Sequence, residues 1–134
     1  MSFADTRAAF EARLAANWST TPITWENVEP PERTSAYIAP FLLDGEANQV
    51  SLGTSPRHRH AGVFVMQIFV PEASGTQTAR AYADTLAAVF RGQQFSAGSS
   101  GLITCRSPSL RSIGARGGWC QFNVVVPWHR DLVY

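Results

Sequence analysis

No stretch constrains this chain more than Ala61-Gly62-Val63-Phe64-Val65-Met66-Gln67-Ile68-Phe69-Val70-Pro71. β-Branched and aromatic residues fill both alternating positions, and Gln67 is the one clearly polar interruption. A strand that is apolar on both sides has packing above and below it, so this one is expected at the centre of a sheet. Pro71 has no N–H to give to a ladder and ends the strand. Ser74-Gly75-Thr76-Gln77 has the spacing of a capping box, opening a helix expected to run to about Arg91, before Gly92. On that helix Ala79, Ala83, Leu86 and Phe90 make one stripe, joined by Tyr82 and Val89, while Gln77, Arg80, Asp84 and Arg91 fall opposite. The unit is an amphipathic helix laid on a sheet.

The rest of the chain arranges itself around this unit. Ser2 to about Asn17 reads as a first helix, capped by Ser2, with Asp5 in its first turn and an Ala-rich interior. Its apolar stripe is Phe3, Phe10, Leu14 and Trp18, with Glu11 and Arg13 facing away and Arg7 paired with Glu11 at i,i+4. Pro22-Ile23-Thr24-Trp25 is a short extended piece, and Pro30-Pro31 forces a loop. Ser35 to Leu43 reads as a strand with Tyr37, Ala39, Phe41 and Leu43 on one face. Pro40, on the other, implies an edge position or a bulge. Asp44-Gly45 reads as a hairpin turn from which Gln49 to Gly53 pairs back. Thr54 to His60 and Gly92 to Gly101 read as loops, the second flexible from its glycines and serines. Leu102–Arg106 and Leu110–Ala115 are short strands, and Gly117-Gly118 is a second hairpin turn. In the last strand, Trp119 to Pro127, Cys120, Phe122, Val124 and Val126 point inward. Val125 breaks the polarity of the outward face. The end, Trp128-His129-Arg130-Asp131-Leu132-Val133-Tyr134, is too apolar to fray and is expected to dock on its own domain or a neighbouring subunit. The expected fold is α+β, a mostly antiparallel sheet with two main helices packed against it in the order α-β-β-β-α-β-β-β, one domain over residues 1–134.

Few residues point to chemistry. With 45% hydrophobic residues the chain can bury a core without a metal or disulfide. A net charge of +1 and the absence of Lys argue against a nucleic-acid surface, and Trp18, Trp25, Trp119 and Trp128 are not interleaved with basic residues. The first residues lack the pattern of a signal peptide, and no run reaches the ~18 apolar residues of a membrane span, so a cytosolic chain is expected. Cys105 and Cys120 are expected as free, buried thiols. Arg57 and Arg59 should point one way from an extended chain and His58 and His60 the other, a two-histidine spacing with no third ligand in view. Cys105 with His129 would be a thiol pair only if a mid-strand cysteine were doing more than packing. Gly98-Ser99-Ser100-Gly101 is no nucleophile elbow. Gly114-Ala115-Arg116-Gly117-Gly118 lacks the helix that a phosphate loop needs. The scattered Asp5, Asp44, Asp84 and Asp131 commit no pair of carboxylates to one site. Charged residues make up only 16%, which points toward assembly, with apolar surface covered by a neighbour.

Several stretches carry a resemblance when taken in order. They are Arg7-x-x-Phe10-x-x-Arg13-Leu14, Trp18, and Thr21-Pro22-Ile23-Thr24-Trp25-Glu26-Asn27. Gly62-Val63 then opens a strand closing Phe69-Val70-Pro71, followed by Gly75, Ala83-Asp84 and Val89-Phe90. The last is Trp119-x-Gln121-x-Asn123-Val124-x-Val126-Pro127-Trp128. The pattern resembles the tail terminator (tail completion) proteins of long-tailed bacteriophages and prophages, over nearly the whole chain. That resemblance implies a structural virion component, not an enzyme, without cofactor or metal. It implies a homo-oligomeric ring, usually a hexamer, that caps the tail tube and offers the head-joining surface. The implied partners are the chain itself, the major tail tube protein and a head–tail connector protein, with no membrane and no specific nucleic acid. The implied location is the host cytoplasm during assembly and then the virion tail. Sheet edges and the two loops would supply the contacts, with Arg57, His58, Arg59, His60, Arg116 and Trp128 as candidate subunit or tube contacts. The alternatives are a small dimeric α+β ligand-binding module, with a pocket between helices and sheet, or another head–tail joining subunit.

Overall fold

The structure is a computed structural model and describes residues 3–26, 35–49, 51–54, 56–72, 76–96 and 101–133. The element order is α1 (Phe3–Asn17), β1 (Tyr37–Gln49), β2 (Arg57–Pro71), α2 (Gln77–Phe90), β3 (Gln94–Ser96), β4 (Leu102–Cys105), β5 (Ser109–Arg116) and β6 (Trp119–Val133). The fold is α+β, with two helices on a six-stranded sheet ordered β1-β2-β6-β4-β3, and β5 pairs with β6 off this path. All of the strand pairs are antiparallel.

β2 lies between β1 and β6, as its two-sided apolar run requires. Phe64, Met66, Ile68 and Val70 stand opposite Val126, Val124, Phe122 and Cys120 of β6, giving one continuous apolar surface. Both helices cover this surface. Phe10 of α1 stacks on Phe64 at 4.7 Å between ring centroids and lies 5.6 Å from Trp128 and 5.8 Å from Phe90 of α2. Ala79, Ala83, Leu86, Ala87 and Phe90 of α2 are buried in the same cluster. Small alanines let the helix approach the sheet closely, and Phe90 fills the gap left at its end. α2 ends where the Arg91 N–H donates to Ala87 O (2.8 Å) and Gly92 turns at φ 63°, a conformation suited to glycine. Thr76 precedes the helix without a side-chain cap, and Ser74 and Gly75 of the expected capping box lie outside the described residues. So do Ser2, Pro30-Pro31, Asn27 and residues 97–100.

Several expectations need correction. Asp44-Gly45 is not a hairpin turn: β1 runs on to Gln49 and stays paired with β2, with a bulge between Asp44 and Ala47. The Asp-Gly signal is real but serves close approach, since a Cβ on Gly45 would sit 2.7 Å from Ala61 O. The β1–β2 connection falls after Gln49, where Gly53 has φ 118°. Arg57 to His60 are therefore the start of β2, not a loop. Gln94 to Ser96, expected in a flexible loop, form β3. On β1 the buried positions are Ile38 and Pro40, while Leu43 is 51% exposed. Pro40 does lie on an edge strand. Its neighbours of the same parity turn their N–H groups away from β2, Ile38 to Pro22 O and Leu42 to Glu26 Oε1, where a proline loses no ladder bond. On α1, Phe3 is 57% exposed, edge-on to His60, and Arg13 faces inward, donating to Val89 O of α2 at 2.9 Å over the rings of Phe90 and Phe95.

Residues 128–133 extend β6, so the apolar end docks on its own sheet. The Gly117-Gly118 turn joins β5 to β6 with φ values of 60° and 84°, as a type I′ turn requires.

Candidate functional site

The helices cover one face of the sheet, and alternation sends every second residue of β1, β2 and β6 to the other. On that second face Tyr37 stacks on Phe69 at 4.9 Å, and Trp119 stands edge-on to Tyr37 at 5.2 Å. Gln67 and Asn123 form a polar row beside them, where Gln121 Nε2 donates to Asn123 Oδ1 (3.0 Å). Further along, Phe41, Val65 and Val125 align across three strands, followed by Leu43, Val63 and Pro127. Val65 is buried by its neighbours, and the rest are half-buried or exposed. The break in polarity at Val125 thus belongs to an apolar band on the face without helices.

Beyond Pro127 this face becomes charged. Arg59 and Asp131, opposite each other on β2 and β6, form a two-pronged pair, Nε to Oδ1 at 2.8 Å and Nη2 to Oδ2 at 3.0 Å. The hydrogen bond from Arg59 holds the Asp131 carboxyl below its usual range, and Arg59 is raised in return. His129 beside them is held below its ordinary pKa, first by burial and then by Arg59 and Arg106, and its buried Nδ1 has no hydrogen-bond partner among the described residues. Arg57, Leu102, Thr104, His129 and Asp131 line an open cleft of about 370 Å³ here.

The candidate contacts separate. Arg57 is exposed, Arg59 is bonded to Asp131, and both lie on the open face. His60 faces the helices, buried opposite Arg130, with its pKa lowered first by burial and then by Arg130 and His58. His58 is half-buried on the same side of the strand as His60. Trp128 is in the core against Phe10, and Arg116 is exposed at the far end of β5. Among the described residues no group of three or more His, Cys, Asp or Glu is placed to hold a metal. Cys105 and His129 point to opposite faces, and burial pushes the Cys105 thiol up to about 12, so it packs and does not attack. Both cysteines are free. No described helix is long and apolar enough to cross a membrane.

Sequence reasoning expected contacts at the sheet edges but missed the exposed apolar residues on them. All eight residues of β5 are exposed, and Leu110 (40%) and Ile113 (54%) on it are large and apolar, as is Leu43 on β1. Hydrophobic pattern alone cannot find such residues, because it assigns an apolar side chain to the interior by default. The clefts beside α1 and α2 are small. One between α2 and β5 holds about 90 Å³ and one between α1 and β1 about 10 Å³, against ~300–1,000 Å³ for a small-molecule site.

Comparison with known proteins gives a family match, to the family described as phage tail terminator protein, over residues 5–128. No curated protein matches. A solved structure is similar at a TM-score of 0.77 and 22% identity, covering 100% of this chain and 98% of that one, a likeness of fold.

Proposed function

Because the chain belongs to the phage tail terminator family, a structural component of a phage tail, we propose that it acts as a homo-oligomeric ring, a hexamer, capping the tail tube. One side of the ring meets the major tail tube protein and the other a head–tail connector protein. Assembly takes place in the host cytoplasm, of a phage or a prophage, before the ring joins the virion tail. Catalysis has no part in this role.

The observation that supports the reading is the one-sided cover of the sheet. Both helices lie on one face, while the other carries Tyr37, Phe69, Trp119, Phe41, Val63 and Val125 without a helix over them. Apolar surface that a subunit leaves uncovered is surface for a partner. The small clefts beside the helices weigh against the ligand-binding alternative. Sedimentation velocity and native mass measurement at micromolar concentration test the ring, with and without tail tube protein. A six-subunit species in either condition is expected. A chain that stays monomeric in both overturns the reading.

A further inference from the structure

A ring of identical subunits needs two different patches on each subunit that fit each other. Two of the sheet's outer strands, β1 and β5, have the required properties. At the β1 edge, the start of the strand is already occupied: Ile38 bridges Ile23, and Leu42 N–H donates to Glu26. From Leu43 to Gln49 every residue is exposed, and no described strand lies on the outer side. This stretch carries Asp44 and Glu46 and no basic residue. At the opposite edge, β5 is exposed along its whole length and pairs only with β6 among the described strands. It carries Arg111 and Arg116, follows Arg106, and has no acidic residue.

We propose that residues 43–49 of one copy add as an antiparallel strand to β5 of the next, continuing the sheet from subunit to subunit. The inference rests on the ring reading and names the surface that makes it. Charge is complementary, since an edge bearing Asp44 and Glu46 meets one bearing Arg111 and Arg116. Exposed apolar residues coincide with the same two edges, since Leu43 is 51% exposed on one and Leu110 and Ile113 are 40% and 54% exposed on the other. Lengths agree as well, a stretch of seven residues meeting a strand of eight, ~23 Å of ladder at ~3.3 Å per residue. Orientation agrees too. β1, β2, β6 and β5 alternate in direction, so a second β1 in the same orientation as the first runs antiparallel to β5. Unpaired strand edges of this kind invite addition of another strand, and both are satisfied at once.

The pairing also accounts for the stagger of the edges. Residues 43–49 lie level with the β4 end of β6, and β5 lies level with its start, so each subunit is displaced along the strands relative to the last. Closed sheets need such a displacement.

Two charge-reversed chains test the pairing, R111E/R116E and D44R/E46R, each checked for unchanged circular dichroism and thermal midpoint. Alone, each brings like charges together, and the concentration for half-assembly should rise on the order of a hundredfold. Mixed in equal amounts they should assemble as the wild type does, because in an alternating ring every reversed edge meets its reversed counterpart. Amide hydrogen exchange on the unaltered chain gives a second readout, with residues 44–49 and 109–116 slowed at least tenfold on assembly. If the wild type assembles but the reversed chains assemble equally well, if mixing restores nothing, or if these amides stay unprotected, the interface is elsewhere and the ring reading survives. A wild type monomeric alone and with tube protein removes both.

Discussion

The two faces of the sheet are built from the same strands and differ in how their aromatic rings are held. On the helix face Phe10 of α1 is enclosed by Phe64, Phe90, Phe95 and Trp128, drawn from three strands and α2. On the open face Tyr37 touches Phe69 and Trp119 across strands, and no described helix lies above them. The first arrangement ties distant segments together and sets stability. The second leaves each residue incompletely buried, where it adds less to the subunit and is accessible to a neighbour. Position relative to the helices, more than residue type, separates fully buried from partly buried aromatics here.

Truncation should separate the faces most sharply. Phe10→Ala removes a fully buried ring at the meeting point of the helices and the sheet, and is expected to cost about 3–5 kcal/mol in urea unfolding. Phe69→Ala on the open face should cost about 1 kcal/mol, the order of one aromatic pair, and leave the midpoint close to wild type. Equal losses would break the distinction. Between them in size stands Gly62→Ala. A Cβ there would run into Leu43 O and come within 2.9 Å of Trp128 Cζ2, so the β1 bulge and the core indole must both shift. The expected loss is about 1–3 kcal/mol, read in the same unfolding measurement, and a neutral result would show that β1 yields freely.

That glycine also shows what was legible in the sequence and what was not. The central strand, α2 with its stripe, and the Gly117-Gly118 turn could be read because each is governed by local rules, namely hydrophobic period and positive φ. Asp44-Gly45 could not, because the dipeptide is the same whether a chain turns or bulges. The outcome was decided by Arg57–Gly62 extending β2 far enough to keep β1 paired. Residues 128–133 were read as a docked end because His129, Arg130 and Asp131 hide the alternation. Arg130 is fully buried, donating to Thr6 Oγ1 under α1, and a buried guanidinium looks exposed in any hydropathy pattern. The candidate contacts scattered for a related reason. Arg57, His58, Arg59 and His60 are consecutive in sequence, but strand alternation divides them between the two faces. Sheet edges could be expected as contact surfaces, but the charge of each edge could not be assigned, because which strands lie outermost is settled by long-range pairing.

The smallest effect concerns two histidines, one on each face. His60, under the helices, and His129, on the open face, both have lowered pKa values, with burial as the first cause. Arg130 and His58 add to it at His60 against Asp44, and Arg59 and Arg106 add to it at His129 against Asp131. Near neutrality folded and unfolded chains hold these rings uncharged. As pH falls below the ordinary value of 6.5, the unfolded chain takes up protons that the folded one refuses, and stability falls until the lowered values are reached. Asp131 behaves differently at lower pH. Its contribution with Arg59 is complete above its ordinary 3.8 and is lost as pH falls through its lowered value. Urea midpoints measured from pH 7.5 to 5 should therefore decline, and H60Q should remove more of the decline than H129Q, because His60 is buried and His129 half-buried. D131N should lower the midpoints across that range, where the carboxylate's bond to Arg59 is fully formed, and flatten the acid limb. If H129Q proved the stronger, charge on the open face would outweigh burial under the helices, and the two faces would differ less in their electrostatics than in their packing.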